Sequence, residues 1–154
     1  MTKKDYKAIL GLAEKLKATD DKTGWFTEEA RKKLIPLDLN LQQGYVAEED
    51  KKIIGFITYF SDDGHAQIGW LGVDPELHGR GTGTALMKKL EQTLRKMGFT
   101  ELLVETAAKE QSIGTSYEST HKFYSDMGFK RYRIKKKEDT GYRCDMDVLK
   151  KAIE

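Results

Sequence analysis

The sequence predicts one α/β domain spanning residues 1–154, built on a mixed central sheet. Three observations predict it. β-prone apolar runs separated by short polar turns crowd residues 44–73. A helical pattern then appears, with Leu86, Leu90, Leu94 and Met97 on one face. A second buried-strand pattern follows at residues 100–106, and strand, helix, strand in that order implies a right-handed parallel crossover.

In chain order, residues 6–16 carry Tyr6, Ile9, Leu10, Leu12, Ala13 and Leu16, the spacing of an amphipathic helix. A polar loop holds Asp20 and Asp21. Thr27 then reads as the N-cap of a short helix with acids in its first turn, expected to stop before Pro36. Residues 44–48, 53–60 and 65–73 read as three antiparallel strands. Gly98 is the expected stop of the central helix, with Arg95 and Lys96 in its last turn. Thr115 and Glu118 match a capping box, so another helix should start near Ser116 and end at Gly128. Residues 129–135 and 141–148 read as a closing hairpin. In its second strand Tyr142, Cys144, Met146 and Val148 alternate with Arg143, Asp145 and Asp147, one face buried and the other wet.

Composition narrows the function classes. The chain has 27 basic and 25 acidic residues and a net charge of +2, too balanced to predict nucleic-acid binding. The basic residues Arg131, Arg133, Lys135, Lys136 and Lys137 read as a solvated hairpin face. The single cysteine, Cys144, excludes an internal disulfide and suits a reducing compartment. No apolar run is long enough to span a membrane and no secretory h-region follows Met1, so a cytoplasmic protein without membrane partners is expected.

The chemistry gathers after the third strand, in Leu71-Gly72-Val73-Asp74-Pro75-Glu76-Leu77-His78-Gly79-Arg80-Gly81-Thr82-Gly83-Thr84. Glycines alternate at Gly79, Gly81 and Gly83, just where the central helix begins. Free backbone N–H groups at a helix N-terminus favour an anion, and His78 and Arg80 could add donors. A tight turn with no ligand is the bland alternative. Spacing decides between phosphate ligands. No Gly-Lys-Ser/Thr closes a P-loop, and neither Gly79 nor Gly81 begins a dinucleotide fingerprint, because Thr84 and Leu86 fall at the required small position. A second motif, Phe123-Tyr124-Ser125-Asp126-Met127-Gly128-Phe129, lies about forty residues downstream.

Together, His78-Gly79-Arg80-Gly81-Thr82-Gly83 and the Phe-Tyr-x-x-x-Gly-Phe motif resemble the GNAT N-acetyltransferase superfamily, over roughly residues 45–148. Tyr117 stands where that family often has Asn, and Thr120 where it has Ala. The resemblance implies an acyl-CoA N-acyltransferase fold whose sheet splays in a V with helices on both faces. Residues 1–4 are barely long enough for the strand that usually precedes the first helix. It also implies acetyl-CoA as acetyl donor, no metal, and transfer to a small-molecule or peptide amine in a ternary complex. Leu71, Gly72 and Val73 would meet the pantetheine arm beside a strand bulge, and His78 to Thr84 would hold the pyrophosphate. Tyr124 occupies the position of the donor to the leaving thiolate. For the base, Glu105 and His65 are the candidates: a carboxylate on a buried strand, and an imidazole titrating near neutrality. Trp25, Phe26, Asp20 and Asp21 could shape the acceptor site, and pairing of edge strands could give a homodimer. The competing reading is a non-catalytic acyl-CoA-binding sensor.

Overall fold

The structure, a computed structural model, describes residues 1–17, 25–111 and 117–154. Gln43–Glu49 (β1), Lys52–Asp62 (β2), His65–Val73 (β3), Glu101–Ala107 (β4), Lys130–Lys135 (β5) and Met146–Ala152 (β6) form one sheet in the order β1-β2-β3-β4-β6-β5. Only β3 and β4 pair in parallel, joined by the helix between them as the element order requires.

That central helix, α3 (Thr82–Lys96), ends as its sequence predicts. The N–H of Gly98 reaches the carbonyl of Arg95 and the N–H of Phe99 that of Leu94, both at 3.0 Å, a Schellman closure. Helix α4 (Tyr117–Asp126) closes the same way, through Gly128 to Ser125 and Phe129 to Tyr124. The capping box at Thr115 and the acids Asp20 and Asp21 lie outside the described residues. Helix α1 (Tyr6–Lys15) buries Ile9, Leu12 and Ala13. Ahead of it Lys3–Asp5 is a 3-10 turn, so among the described residues no strand stands before α1.

Two expectations need correction. The second helix does not stop before Pro36. Thr27 caps it, its hydroxyl accepting from Ala30 N–H at 3.1 Å. The chain then runs through a π turn at Ala30–Leu34 into α2 (Ile35–Leu41). Proline disrupts a helix because it lacks an N–H and crowds the carbonyl four residues back. Here Pro36 sits in the first turn of α2, just after the wider turn, where neither defect matters.

The last strand is also displaced. Residues 141–145 are not strand: α5 (Lys137–Thr140) stops at Gly141 in the left-handed conformation, and β6 begins only at Met146. β6 lies inside the sheet between β4 and β5, and its residues from Met146 to Leu149 are buried on both faces. Asp147, expected on a wet face, is 1% exposed. Its carboxylate accepts from Arg131 Nη2 at 2.9 Å and Lys109 N–H at 3.0 Å. Of the last two strands only β5 is an edge available to a second copy.

Each face of the sheet carries its own core. Ile57, Leu102 and Val104 pack with Leu86, Leu90 and Leu94 of α3, and with Tyr124 of α4. Phe56 packs on the other face with Ile9, Leu12, Ile35 and Leu39 of α1 and α2. The two neighbours on β2, Phe56 and Ile57, are both fully buried, one per face. This unalternating strand supports the helices on both sides.

Candidate active site

The site begins where β3 leaves β4. Their pairing runs only from Ala66 opposite Leu102 to Ile68 opposite Val104. On the other side of β3, Ile68 faces Tyr59 and Leu71 faces Ile57, so Gly69 and Trp70 together oppose Thr58. That extra residue is a β-bulge, which bends and twists the strand. It lies just before Leu71, one step upstream of the expected stretch. The fully buried Thr58 side chain holds it. Its hydroxyl accepts from Trp70 N–H at 2.8 Å and donates to Gln42 Oε1 at 2.6 Å. At Gly69 a Cβ would crowd this junction, standing 2.0 Å from Gln42 Oε1 and 2.8 Å from Thr58 Oγ1. Past the bulge, Leu71, Gly72 and Val73 have β2 on one side and no β4 partner on the other.

The turn out of β3 is tied at its first residue. Asp74 donates its N–H to Ile54 O at 2.8 Å. Its carboxylate accepts from Lys15 Nζ at 2.8 Å and Glu76 N–H at 3.0 Å. The Lys15 ammonium is the main reason the Asp74 carboxyl titrates below its ordinary range. After a 3-10 turn at Pro75–Leu77, Gly79 and Gly81 adopt φ of +78° and +81°, which side chains disfavour. Gly81 caps α3, whose first internal bond is Ala85 N–H to Gly81 O at 2.9 Å. The N–H groups of Thr82, Gly83 and Thr84 therefore have no helical acceptor, at the positive end of a helix dipole. His78 shares a hydrogen bond of 3.0 Å between its Nε2 and Val73 O. Arg80 pairs with Glu49 of β1 at 2.7 Å.

From these donors a cleft of about 440 Å³ runs between Leu71 and Val73 on one wall and Thr120 and Phe123 of α4 on the other, ending at Tyr124. A second cleft of about 620 Å³ continues beyond, walled by Trp25, Trp70, Tyr117 and Glu105. Tyr124 lines both. Its ring sits edge-on between Phe123 and Phe129, each at 5.3 Å between centroids, and only 5% of the residue is exposed. Burial pushes its phenol far above the ordinary range, so it stays protonated at any physiological pH.

The other expected residues fall into two groups. Glu105 lines the second cleft, and its carboxylate pairs with the Lys135 ammonium from β5. By strand alternation it shares the face of Leu103, whereas Val104 points into the Tyr124 core. The carboxylate and the phenol thus approach the opening of the sheet from opposite faces. His65 is not brought to them. It lies level with Glu101 at the start of β3, eight strand steps or roughly 26 Å from Val73 and four steps or about 13 Å from Glu105, with Nδ1 3.6 Å from Glu101 Oε2. Gly72 serves packing, since a Cβ there would lie 2.7 Å from Leu16 Cδ1. Thr58, Trp70 and Ser119 were not anticipated. Ser119 had a readable signal: Ser119, Thr120, Phe123 and Tyr124 fall at one-turn spacing on a single helix face.

A family model described as the acetyltransferase (GNAT) family matches residues 13–129. The chain belongs to the GNAT acetyltransferase family. An uncharacterized N-acetyltransferase of Methanocaldococcus jannaschii is 31% identical over 90 residues, 58% of this chain and 54% of that one. The chain therefore matches about half the length of that curated relative. Among solved structures, a GNAT-family protein of Desulfovibrio desulfuricans superposes with a TM-score of 0.79 at 23% identity, covering 99% of this chain and 95% of its own. An aminoglycoside 6'-N-acetyltransferase solved with coenzyme A gives a TM-score of 0.75 at 14% identity, covering 99% and 93%. These two likenesses show that the single-domain, six-stranded sheet is the GNAT fold. Among the described residues of this GNAT domain no helix is long and apolar enough to cross a membrane.

Proposed function

We propose that this GNAT domain moves an acetyl group from acetyl-CoA to a primary amine by direct attack in a ternary complex. The observation that carries the proposal is the meeting of two clefts at one buried phenol, one cleft starting at open helix N–H groups and the other at a carboxylate. The first cleft suits coenzyme A. Nothing lies within 4 Å of where a Cβ would stand on Gly79 or Gly81, so a diphosphate can approach the backbone donors of residues 82–84. The unpaired edge at Leu71, Gly72 and Val73 offers strand-like partners to an amide-bearing arm. Acetyl-CoA bound there supplies an acetyl thioester.

The chain's own residues then have two proton problems to solve. A lysine-like amine has a pKa near 10.4, so holding it neutral at pH 7 costs about 4–5 kcal/mol. Glu105 is the carboxylate lining the acceptor cleft, and it takes that proton directly or through water. As the amine nitrogen bonds to the acetyl carbon, the carbon–sulfur bond breaks and charge gathers on sulfur. A thiol near pKa ~8.5 is a stronger acid than a tyrosine phenol, near ~10. Tyr124, raised further by burial, therefore stabilises the sulfur by donating a hydrogen bond; the second proton, which the nitrogen sheds as the amide forms, passes to solvent, and solvent supplies the proton that the departing thiol keeps. Calorimetric titration with acetyl-CoA and thiol release with an amine panel test the reading. Binding with turnover supports it. Absence of heat, or heat without turnover of any amine, overturns it, the latter leaving a sensor.

A further inference from the structure

Given the transferase reading, on which this inference rests, the walls of the second cleft carry information about the acceptor. Trp25, Phe26, Trp70 and Tyr117 supply aromatic surface, extended by Leu16 and Met146. Trp25 stands edge-on to Tyr117 at 6.3 Å, and Phe26 packs against Trp70 at 5.6 Å. The indole N–H of Trp25 is buried with no acceptor among the described residues. Charge on the walls points the same way. Among the described residues Glu105 is the only acidic side chain lining the cleft, and it is already paired with Lys135. Lys15 and Lys17 line the rim, and the Arg143 guanidinium lies 5.0 Å from the Trp25 ring centre.

We infer that the acceptor is a monoamine carrying an aromatic or bulky apolar body, and that polycations such as polyamines and aminoglycosides are excluded. One ammonium can meet Glu105, while flat apolar surface stacks on the indoles. A second or third ammonium would meet Lys17 and, among the described lining residues, no second carboxylate, and like-charge contacts discriminate strongly.

The two tryptophans of the chain both line this cleft, so intrinsic emission reports its occupancy directly. Titration of the intact protein with 2-phenylethylamine should give a saturable emission change, and spermidine and kanamycin should give none. In the thiol-release assay kcat/KM for 2-phenylethylamine should exceed that for either polycation by at least about tenfold. Trp25→Ala should raise KM for 2-phenylethylamine by about tenfold without changing KM for acetyl-CoA, and Trp25→Phe should restore most of the loss. Lys17→Glu, an exposed and structurally silent change, should lift the activity on spermidine. Preference for a polycation, absence of an emission change with 2-phenylethylamine, or an unaltered KM in Trp25→Ala would overturn the inference. Acetyl-CoA titration on the same preparations keeps the two readings apart. No heat with acetyl-CoA defeats the transferase assignment, whereas heat with acetyl-CoA and a silent amine titration defeats only the acceptor assignment.

Discussion

If Thr58 holds the bulge that opens the sheet, removing its hydroxyl should damage stability and cofactor binding together. Thr58→Val keeps the shape and deletes the oxygen. It leaves Trp70 N–H without its 2.8 Å acceptor and Gln42 Oε1 without its 2.6 Å donor. Each unsatisfied buried group costs about 1–3 kcal/mol. Gln42 is half-buried and can turn toward water, so the Trp70 amide dominates and a loss of about 2 kcal/mol is expected. For a chain of this size that lowers Tm by about 4–8 °C. Thr58→Ser is the control. It keeps both hydrogen bonds and loses one buried methyl, about 1 kcal/mol. The decisive measurement is kinetic. Thr58→Val should raise KM for acetyl-CoA several-fold, because Leu71 to Val73 lose their alignment, while Thr58→Ser should leave it unchanged. If Thr58→Val matched wild type in both denaturation midpoint and KM, the hydroxyl would not be what holds the bulge.

Three further outcomes are expected. Tyr124→Phe should retain acetyl-CoA affinity by calorimetry and lower kcat about 10- to 150-fold, the value of a hydrogen bond to a charged group; unchanged turnover would remove the phenol from the reaction. Glu105→Gln should abolish the ascending limb of the kcat/KM pH profile while His65→Ala leaves it in place, and an ascending limb that survives in Glu105→Gln would exclude Glu105 as base. Asp74→Asn should melt below wild type at neutral pH, with the difference closing on acidification. The folded-state carboxyl titrates below its unfolded value, so its contribution is present above about pH 4 and fades as pH falls through the lowered value. A Tm difference that persisted undiminished in acid would show that the carboxylate charge is not what anchors the loop.

The elements legible in the sequence were those whose reasons are local. β3, the glycine loop, α3 and its stop at Gly98 each follow from alternation, left-handed glycines and helical spacing within a few residues. The second helix was misjudged because the rule applied to Pro36 assumes α geometry, and a π turn just upstream removes the clash the rule anticipates. The last strand was misjudged because alternation marks a half-exposed strand. β6 is covered on both faces from Met146 to Leu149, so that stretch does not need to alternate, whereas the exposed turn before it does so by chance. Asp147 could be buried only because Arg131 and Lys109, from elsewhere in the chain, supply its donors. The same limit applies to the site. The open helix N–H groups proposed to hold the diphosphate occupy one continuous stretch. The walls of the second cleft come from residues near 25, 70, 105 and 117, and no period links them. Glu105 and His65 are both candidate bases in the sequence, and the register of β3 on β4 places them about four strand steps apart, roughly 13 Å, with Glu105 nearer the end where the strands part.

That separation follows from how the sheet is interrupted. A parallel pair fixes direction, so groups at the start of β3 and at its end are held a full strand apart. Chemistry therefore has to gather at the end where pairing fails. Failure there is imposed from both sides: the bulge twists β3 off β4, and Lys15 draws Asp74 toward α1. The same Lys15 lines the acceptor cleft. Its ammonium is thus committed to the turn that leads into the glycine loop, and it walls the second cleft without being available to bind an anion there. One ion pair joins the two halves of the site, so changes on α1 made to alter acceptor choice should be expected to disturb the loop at Gly79 and Gly81 unless Lys15 and Asp74 are left intact.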